Sequence, residues 1–277
     1  MNQELSIAFI GGGNMATALA SGLIGKRCGA HDIHVIDPNQ SVLESWRQQG
    51  TTTAPAPDAA LSSRRVWIFA VKPQYLKAAV ESCRPFLGED TLVISIAAGV
   101  SAETLGQWLG GAGRPWTRLV RCMPNTPALI GSGASGLMAL GGASDDDKAV
   151  AQQLLRAVGE VVWVENDAQI DAVTALSGSG PAYVFLFLES LIKGGVDLGL
   201  SDDQARSLAL ATLNGATQLA ALSHESLAVL RERVTSKGGT TAAALEVLNG
   251  KGFPAIVQQA MQAARQRAAE LSRESAQ

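Results

Sequence analysis

The chain has 277 residues, 47% hydrophobic and 17% charged, with no low-complexity tract or internal repeat, so it reads as an ordered globular protein of two domains. Its 22 Lys+Arg against 25 Asp+Glu leave a net charge of −3, and no basic run large enough for nucleic acid shows in the sequence. The arginine clusters at Arg114, Arg118, Arg121 and at Arg231, Arg233 read as strand and helix edges. Cys28, Cys83 and Cys122 lack CxxC spacing, and His31, His34 and His224 form no ligand pattern; neither disulfide nor metal is expected, and the thiols suit a cytoplasmic chain.

Residues 5–25 are uncharged and about as long as a membrane span. Their centre, however, is Gly11-Gly12-Gly13-Asn14, and Asn2-Gln3-Glu4 is no signal-peptide head, so strand, glycine turn and helix are expected and a membrane is not. Further apolar runs predict strands at 33–37, 66–71, 91–96 and 117–122, after a first at 6–10. Most are continuous rather than alternating, as in a parallel sheet covered on both faces. Helical patterns at 14–24, 40–49, 74–86 and 101–109 fall between them, which predicts an α/β fold with a doubly wound, Rossmann-type sheet. A last strand pair, 135–140 and 161–164, flanks a helix that Ser144 is placed to cap, with Asp145, Asp146 and Asp147 at the positive end of its dipole.

Beyond about residue 165 the strand signal stops, and helices are predicted at 167–176, 181–198, 201–222, 226–235, 240–248 and 253–272. Domains are therefore expected at 1–165, dinucleotide-binding, and 166–277, helical. Residues 184–188 are apolar in five consecutive positions, so that helix has no ordinary solvent face. Leu208, Ala211, Thr212, Gly215, Ala216 and Leu219 make a narrow stripe that admits another helix closely. So much two-sided burial predicts a homodimer through the helical domain, with a higher oligomer of dimers left open.

Gly11, Gly13 and Ala16 form a G-x-G-x-x-A fingerprint directly after a strand and at the opening of a helix, with Asn14 and Met15 in its first turn. There a diphosphate finds free N–H groups and the positive dipole end. Asp37, at the end of the second strand, is placed to accept from an adenosine ribose and to repel a 2′-phosphate, although Asn39, Gln40 and Ser41 offer donors to one; NAD(H) and NADP(H) both stay open. Ala70-Val71-Lys72-Pro73, Ala97-Ala98-Gly99 and Asn125 with Thr126 follow later strands at the rim where such sheets bind ligands, and residues 70–73, 97–99 and Asn125 are expected to contact the cofactor.

Four features in this order, the G-x-G-N-M-A turn, A-V-K-P, M-P-N-T-P at 123–127 and L-S-G-S-G-P-A-Y at 176–183, resemble pyrroline-5-carboxylate reductases, and S-K-G-G-T-T at 236–241 resembles that family's S-P-G-G-x-T. Lys237 stands where the family has proline. The resemblance spans about residues 5–270 and implies NAD(P)H-dependent reduction of the cyclic imine 1-pyrroline-5-carboxylate to L-proline, the last step of proline biosynthesis. It implies substrate contacts at Ser179, Gly180 and Pro181 and at Ser236, Gly238, Gly239, Thr240 and Thr241, with Thr241 as the catalytic residue. The residues themselves agree, because the glycine loop before 242–245 offers free N–H groups to a carboxylate. Two other readings stay open: a hydroxyacid dehydrogenase of similar build, which the lack of a lysine in Pro181-Ala182-Tyr183-Val184 disfavours, and a non-catalytic NAD(P)-binding sensor.

Overall fold

The computed structural model describes residues 5–111 and 113–275. Among them, eight strands form one sheet in the order β3-β2-β1-β4-β5-β6-β7-β8. They are β1 (Ile7–Ile10), β2 (Ile33–Ile36), β3 (Thr52–Ala54), β4 (Val66–Phe69), β5 (Leu92–Ser95), β6 (Leu119–Met123), β7 (Gly133–Ala139) and β8 (Gly159–Trp163). Every neighbouring pair is parallel except β6 and β7. The final strand pair predicted from sequence is thus a parallel unit, β7-α5-β8, laid antiparallel on the sheet. The edge strand β3 was not anticipated.

Helices α1 (Asn14–Leu23), α2 (Gln40–Gln48), α3 (Pro73–Cys83), α4 (Ala102–Gly110) and α5 (Asp145–Arg156) connect the strands. All four residues of β1, β2, β4 and β5 are buried. Successive side chains enter opposite layers: Ile7 and Phe9 join a core with α1 and α5, while Ala8 and Ile10 join one with α3 and α4. The strand order reverses direction around β1 and β4, so the carboxyl ends of the parallel strands meet at one rim.

Then follow α6 (Asp167–Val173), a π turn at Thr174–Gly178, α7 (Gly180–Asp197), α8 (Asp202–Leu222), α9 (Leu227–Arg233), α10 (Thr240–Gly250) and α11 (Phe253–Ser275). The chain divides into two compact units, one running to Ser179 and resuming at Ala263, the other Gly180–Gln262. In the helical unit Ser201 caps α8 in a capping box with Gln204. Among its described residues only Ala205 and Ala209 are buried, while Phe185, Leu186, Leu198 and Leu222 are 59%, 64%, 89% and 83% exposed. The segment Asp167–Asp197 is long and apolar enough to cross a membrane, with mean hydropathy 1.3. Residues 5–25, by contrast, split between β1 and α1 and lie in the sheet domain.

Candidate active site

The turn after β1 is built by contacts that leave little room for other residues. Gly11 has φ +97°, and a Cβ there would lie 2.8 Å from the Ala70 carbonyl oxygen. A Cβ on Gly12 would meet Trp46 Nε1 at 2.7 Å, and that indole donates to the Gly12 carbonyl at 2.9 Å. The Gly12 N–H donates to Asp37 Oδ2 at 2.9 Å, and the Asn39 N–H to Asp37 Oδ1 at 2.8 Å. Asp37 therefore ties the glycine turn to the end of β2 while its half-buried carboxylate keeps free lone pairs. Gly13, in contrast, has open space where a Cβ would stand.

Gly13 also opens α1 with no side-chain cap and no acidic residue in the first turn. The N–H groups at Asn14, Met15 and Ala16 have no intrahelical acceptor there, and they leave a positive dipole end facing outward. Ala16, fully buried, is small enough for the helix to lie on the sheet. A cavity of about 650 Å³ opens on this turn. Gly11, Gly13, Asp37, Ala70, Val71 and Lys72 line it, bringing together residues that the sequence placed at three strand ends. Its size, bare N–H groups and lack of a wall of side chains at Gly13 fit a dinucleotide.

Pro55, Pro57 and Tyr75 also line the cavity and were missed. Their signal was a Pro-rich turn after a three-residue edge strand, too short to register as periodicity. Pro73 is the first residue of α3 rather than part of the lining. Ala97, Ala98 and Gly99 follow β5 at the same rim but outside the cavity; Gly99, at φ +70°, lies under Leu271, whose Cβ would be 2.8 Å from an added Cβ. Asn125 is buried, with both ends of its amide engaged by the protein. A separate cavity of about 600 Å³, lined by Arg84, Arg114 and Trp116 near the amino end of β6, contains none of the expected site residues. Arg121, expected at a strand edge, is 2% exposed and paired with Asp167 and Asp171.

In the helical unit, Gly239 opens α10, again without a side-chain cap. Gly238 has φ +72°, and the Gly239 N–H donates to the Ser236 carbonyl at 3.0 Å, folding the loop tightly over the helix end. Thr241 is half-buried, while Ser236, Gly238 and Thr240 are exposed. Most other helices carry side-chain caps, at Asn39, Ser101, Ser144, Asn166, Ser201 and Ser226. Helices α1 and α10 share a glycine N-cap and an open first turn, which suits each to an anion.

A doubly wound sheet with this glycine turn, joined to an all-helical unit, defines a Rossmann-type dinucleotide-binding protein. Residues 167–271 match the family model for pyrroline-5-carboxylate reductase dimerisation, and residues 6–99 match that for NADP oxidoreductase, coenzyme F420-dependent. The chain is 45% identical to pyrroline-5-carboxylate reductase of Pseudomonas aeruginosa over 96% of both chains, and 38% identical to that of Pisum sativum over 98% of both. Its fold resembles a pyrroline-5-carboxylate reductase structure from Coxiella burnetii at TM-score 0.89 and 39% identity, covering 98% of this chain and 99% of that one. The Plasmodium falciparum enzyme with NADP bound matches at TM-score 0.84 and 27% identity, over 97% and 98% of the two chains. The chain belongs to the pyrroline-5-carboxylate reductase family.

Proposed function

We propose that the chain reduces 1-pyrroline-5-carboxylate to L-proline with NADH or NADPH, the closing step of proline biosynthesis. Family membership carries the reaction, and the observation that supports its two binding requirements is the pair of uncapped, glycine-led helices α1 and α10. The turn Gly11–Ala16 binds the cofactor diphosphate, Asp37 faces the adenosine ribose, and Lys72, which lines the same cavity, pairs with a cofactor phosphate or ribose. The small run Ala97, Ala98 and Gly99 borders the nicotinamide at the same rim, with Gly99 packed under Leu271. When bound, the nicotinamide supplies the hydride.

Gly238, Gly239 and Thr240 offer backbone N–H groups to the substrate carboxylate, with Ser236 adding a hydroxyl, and Ser179, Gly180 and Pro181 border the ring. The Thr241 hydroxyl donates to the ring nitrogen. A threonine hydroxyl is too weak an acid to protonate an imine outright, so the proton enters with the substrate or through water held by Thr241. Catalysis by this chain is then mainly orientation and exclusion of water. Lys193, the nearest lysine on α7, is exposed and paired with Asp197 at 2.8 Å, which speaks against a lysine-dependent hydroxyacid dehydrogenase.

The exposed apolar faces of α7 and α8 are covered by a second copy of the chain rather than by lipid, giving a homodimer through residues 166–277 that is open to further assembly. Free Cys28, Cys83 and Cys122 suit the cytoplasm. The purified protein, given pyrroline-5-carboxylate, is expected to consume NAD(P)H as loss of nicotinamide absorbance. Binding of NAD(P)H without turnover would mark a sensor instead.

A further inference from the structure

Three alternate residues of β6 and its outgoing loop hold the segment that leads into α7. Arg121 sends its guanidinium to Asp167 and, at 3.4 Å, to Asp171 of α6. Asp167 also accepts the Ala102 N–H at 3.2 Å, fastening α6 to the start of α4. Met123 packs against Gly178, where an added Cβ would fall 2.6 Å from its methyl carbon. Asn125, 9% exposed, accepts the Ala134 N–H on Oδ1 at 2.8 Å and donates from Nδ2 to the Ser177 carbonyl at 3.0 Å.

The last contact has a covalent reason. In a continuous helix the Ser177 carbonyl takes the N–H of the residue four positions on, which is Pro181 and has no N–H. A half-buried carbonyl without a donor carries part of the cost of an unpaired buried one. The backbone here widens into the π turn Thr174–Gly178, in which the Thr174 and Ser177 hydroxyls are spent on the Ile170 and Val173 carbonyls at 2.9 and 3.1 Å. Asn125 provides the donor that Pro181 lacks.

We propose that Asn125 is a positioning residue. Its amide fixes the Ser177 carbonyl, and thereby sets the place of Ser179, Gly180 and Pro181, without itself contacting the cofactor. The inference rests on the substrate role proposed above for those three residues.

The test is a double-mutant cycle in the full-length protein. Asn125→Asp keeps the acceptor for Ala134 but loses the donor to Ser177; Asn125→Ser is a smaller second variant; Pro181→Ala restores an N–H to the helix. Each Asn125 variant is expected to lower kcat/KM for the imine about tenfold or more, as loss of a hydrogen bond to a buried group would. The NADH dissociation constant, read from nicotinamide fluorescence, is expected to stay within about twofold, since no cofactor contact is lost. In the Pro181→Ala background the penalty of either variant is expected to shrink. An unchanged kcat/KM, a weakened NADH affinity, or equal penalties in both backgrounds would each overturn the assignment. A wild-type protein that binds NADH but never reduces the imine would remove the substrate reading and this inference with it; an active wild type with unaffected variants would remove this inference alone.

Discussion

Asp37 Oδ2 accepts the Gly12 N–H at 2.9 Å, so the carboxylate expected to face the cofactor ribose also anchors the turn proposed to bind its diphosphate. Its second oxygen takes the Asn39 N–H, and no arginine lines the cavity beside it. An extra phosphate there meets like charge, with Lys72 as the one cationic side chain in the lining. Asp37→Ala is expected to weaken NADH binding and to raise the ratio of kcat/KM for NADPH over NADH about tenfold, equivalent to roughly 1.4 kcal/mol of relieved repulsion. Steady-state kinetics with both cofactors check this; an unchanged ratio would show that the carboxylate serves only the turn.

Thr241 stands in the first turn of α10, half-buried behind an exposed glycine loop. If its hydroxyl meets the ring nitrogen, Thr241→Ala removes an interaction that matters most as charge develops there. Turnover is expected to fall about 10- to 100-fold, with the cofactor dissociation constant nearly unchanged. Thr241→Ser, which keeps the hydroxyl, is expected to recover most of the rate. Failure of serine to rescue would assign the loss to packing of the methyl group.

The centre of the sheet domain was legible because β1, β2, β4, β5 and β6 are buried on both faces and so read as unbroken apolar runs. The residues that line the cavity at the glycine turn were legible for the same reason, as Gly11, Asp37 and Ala70 each follow directly from such a strand. Other features join residues far apart in the chain and leave no local pattern. Trp46 and Gly12 are separated by 34 positions, and only the fold explains why Gly12 lacks a side chain. β3 escaped notice because its two threonines and alanine sit at an exposed edge, with burial confined to Ala54. Arg121 reads from sequence as a strand-edge residue because its counter-charges lie on α6, 46 and 50 positions later. Pro181 was recognised as a helix-starting residue, but the carbonyl it leaves bare finds its donor on a different element.

The exposed apolar side chains of α7 and α8 predict an assembly measurable by sedimentation. Phe185 and Leu186, adjacent on α7, are 59% and 64% exposed. Fully burying each against a partner contributes on the order of 2 kcal/mol. Wild type is expected to sediment as a dimer or larger at micromolar concentration, and Phe185→Glu to shift it toward monomer, since an unpaired carboxylate in such a contact is strongly disfavoured. A wild-type monomer would contradict the proposed homodimer.

His34, 2% exposed in β2, bonds through Nδ1 to Thr52 Oγ1 at 2.9 Å. Its Nε2 lies 3.3 Å from Asp58 Oδ1 without hydrogen-bond alignment, and Arg64 reaches the same threonine. Burial pushes the imidazole below its ordinary value of 6.5; Asp58 opposes this and Arg64 adds to it. Below about pH 6.5 the unfolded chain takes up a proton that the folded chain resists, so stability declines on acidification until the folded imidazole also titrates. His34→Gln is expected to flatten the urea midpoint between about pH 7.5 and 5. A His34-dependent rise in midpoint on acidification would mean that the Asp58 attraction prevails over burial.

Asp147 governs a lower range. It is 1% exposed, accepts Arg118 Nε and Nη2 at 2.9 and 2.8 Å, and closes the capping box of α5 through the Ser144 N–H at 3.0 Å. Burial pushes its carboxyl up, but the Arg118 and Ser144 donors outweigh burial and hold it below its ordinary value of 3.8. The contribution is complete above that ordinary value and is lost as pH falls through the depressed one. Asp147→Asn leaves Arg118 only the exposed Asp90 as counter-charge and is expected to cost about 3 kcal/mol at neutral pH. In urea titrations the gap between wild type and variant is expected to begin closing as pH drops below about 3.8, where the unfolded chain takes up the proton, and to close fully once the folded carboxylate is protonated as well. A gap that persists undiminished at the lowest pH would mean that the side chain acts by shape rather than by charge.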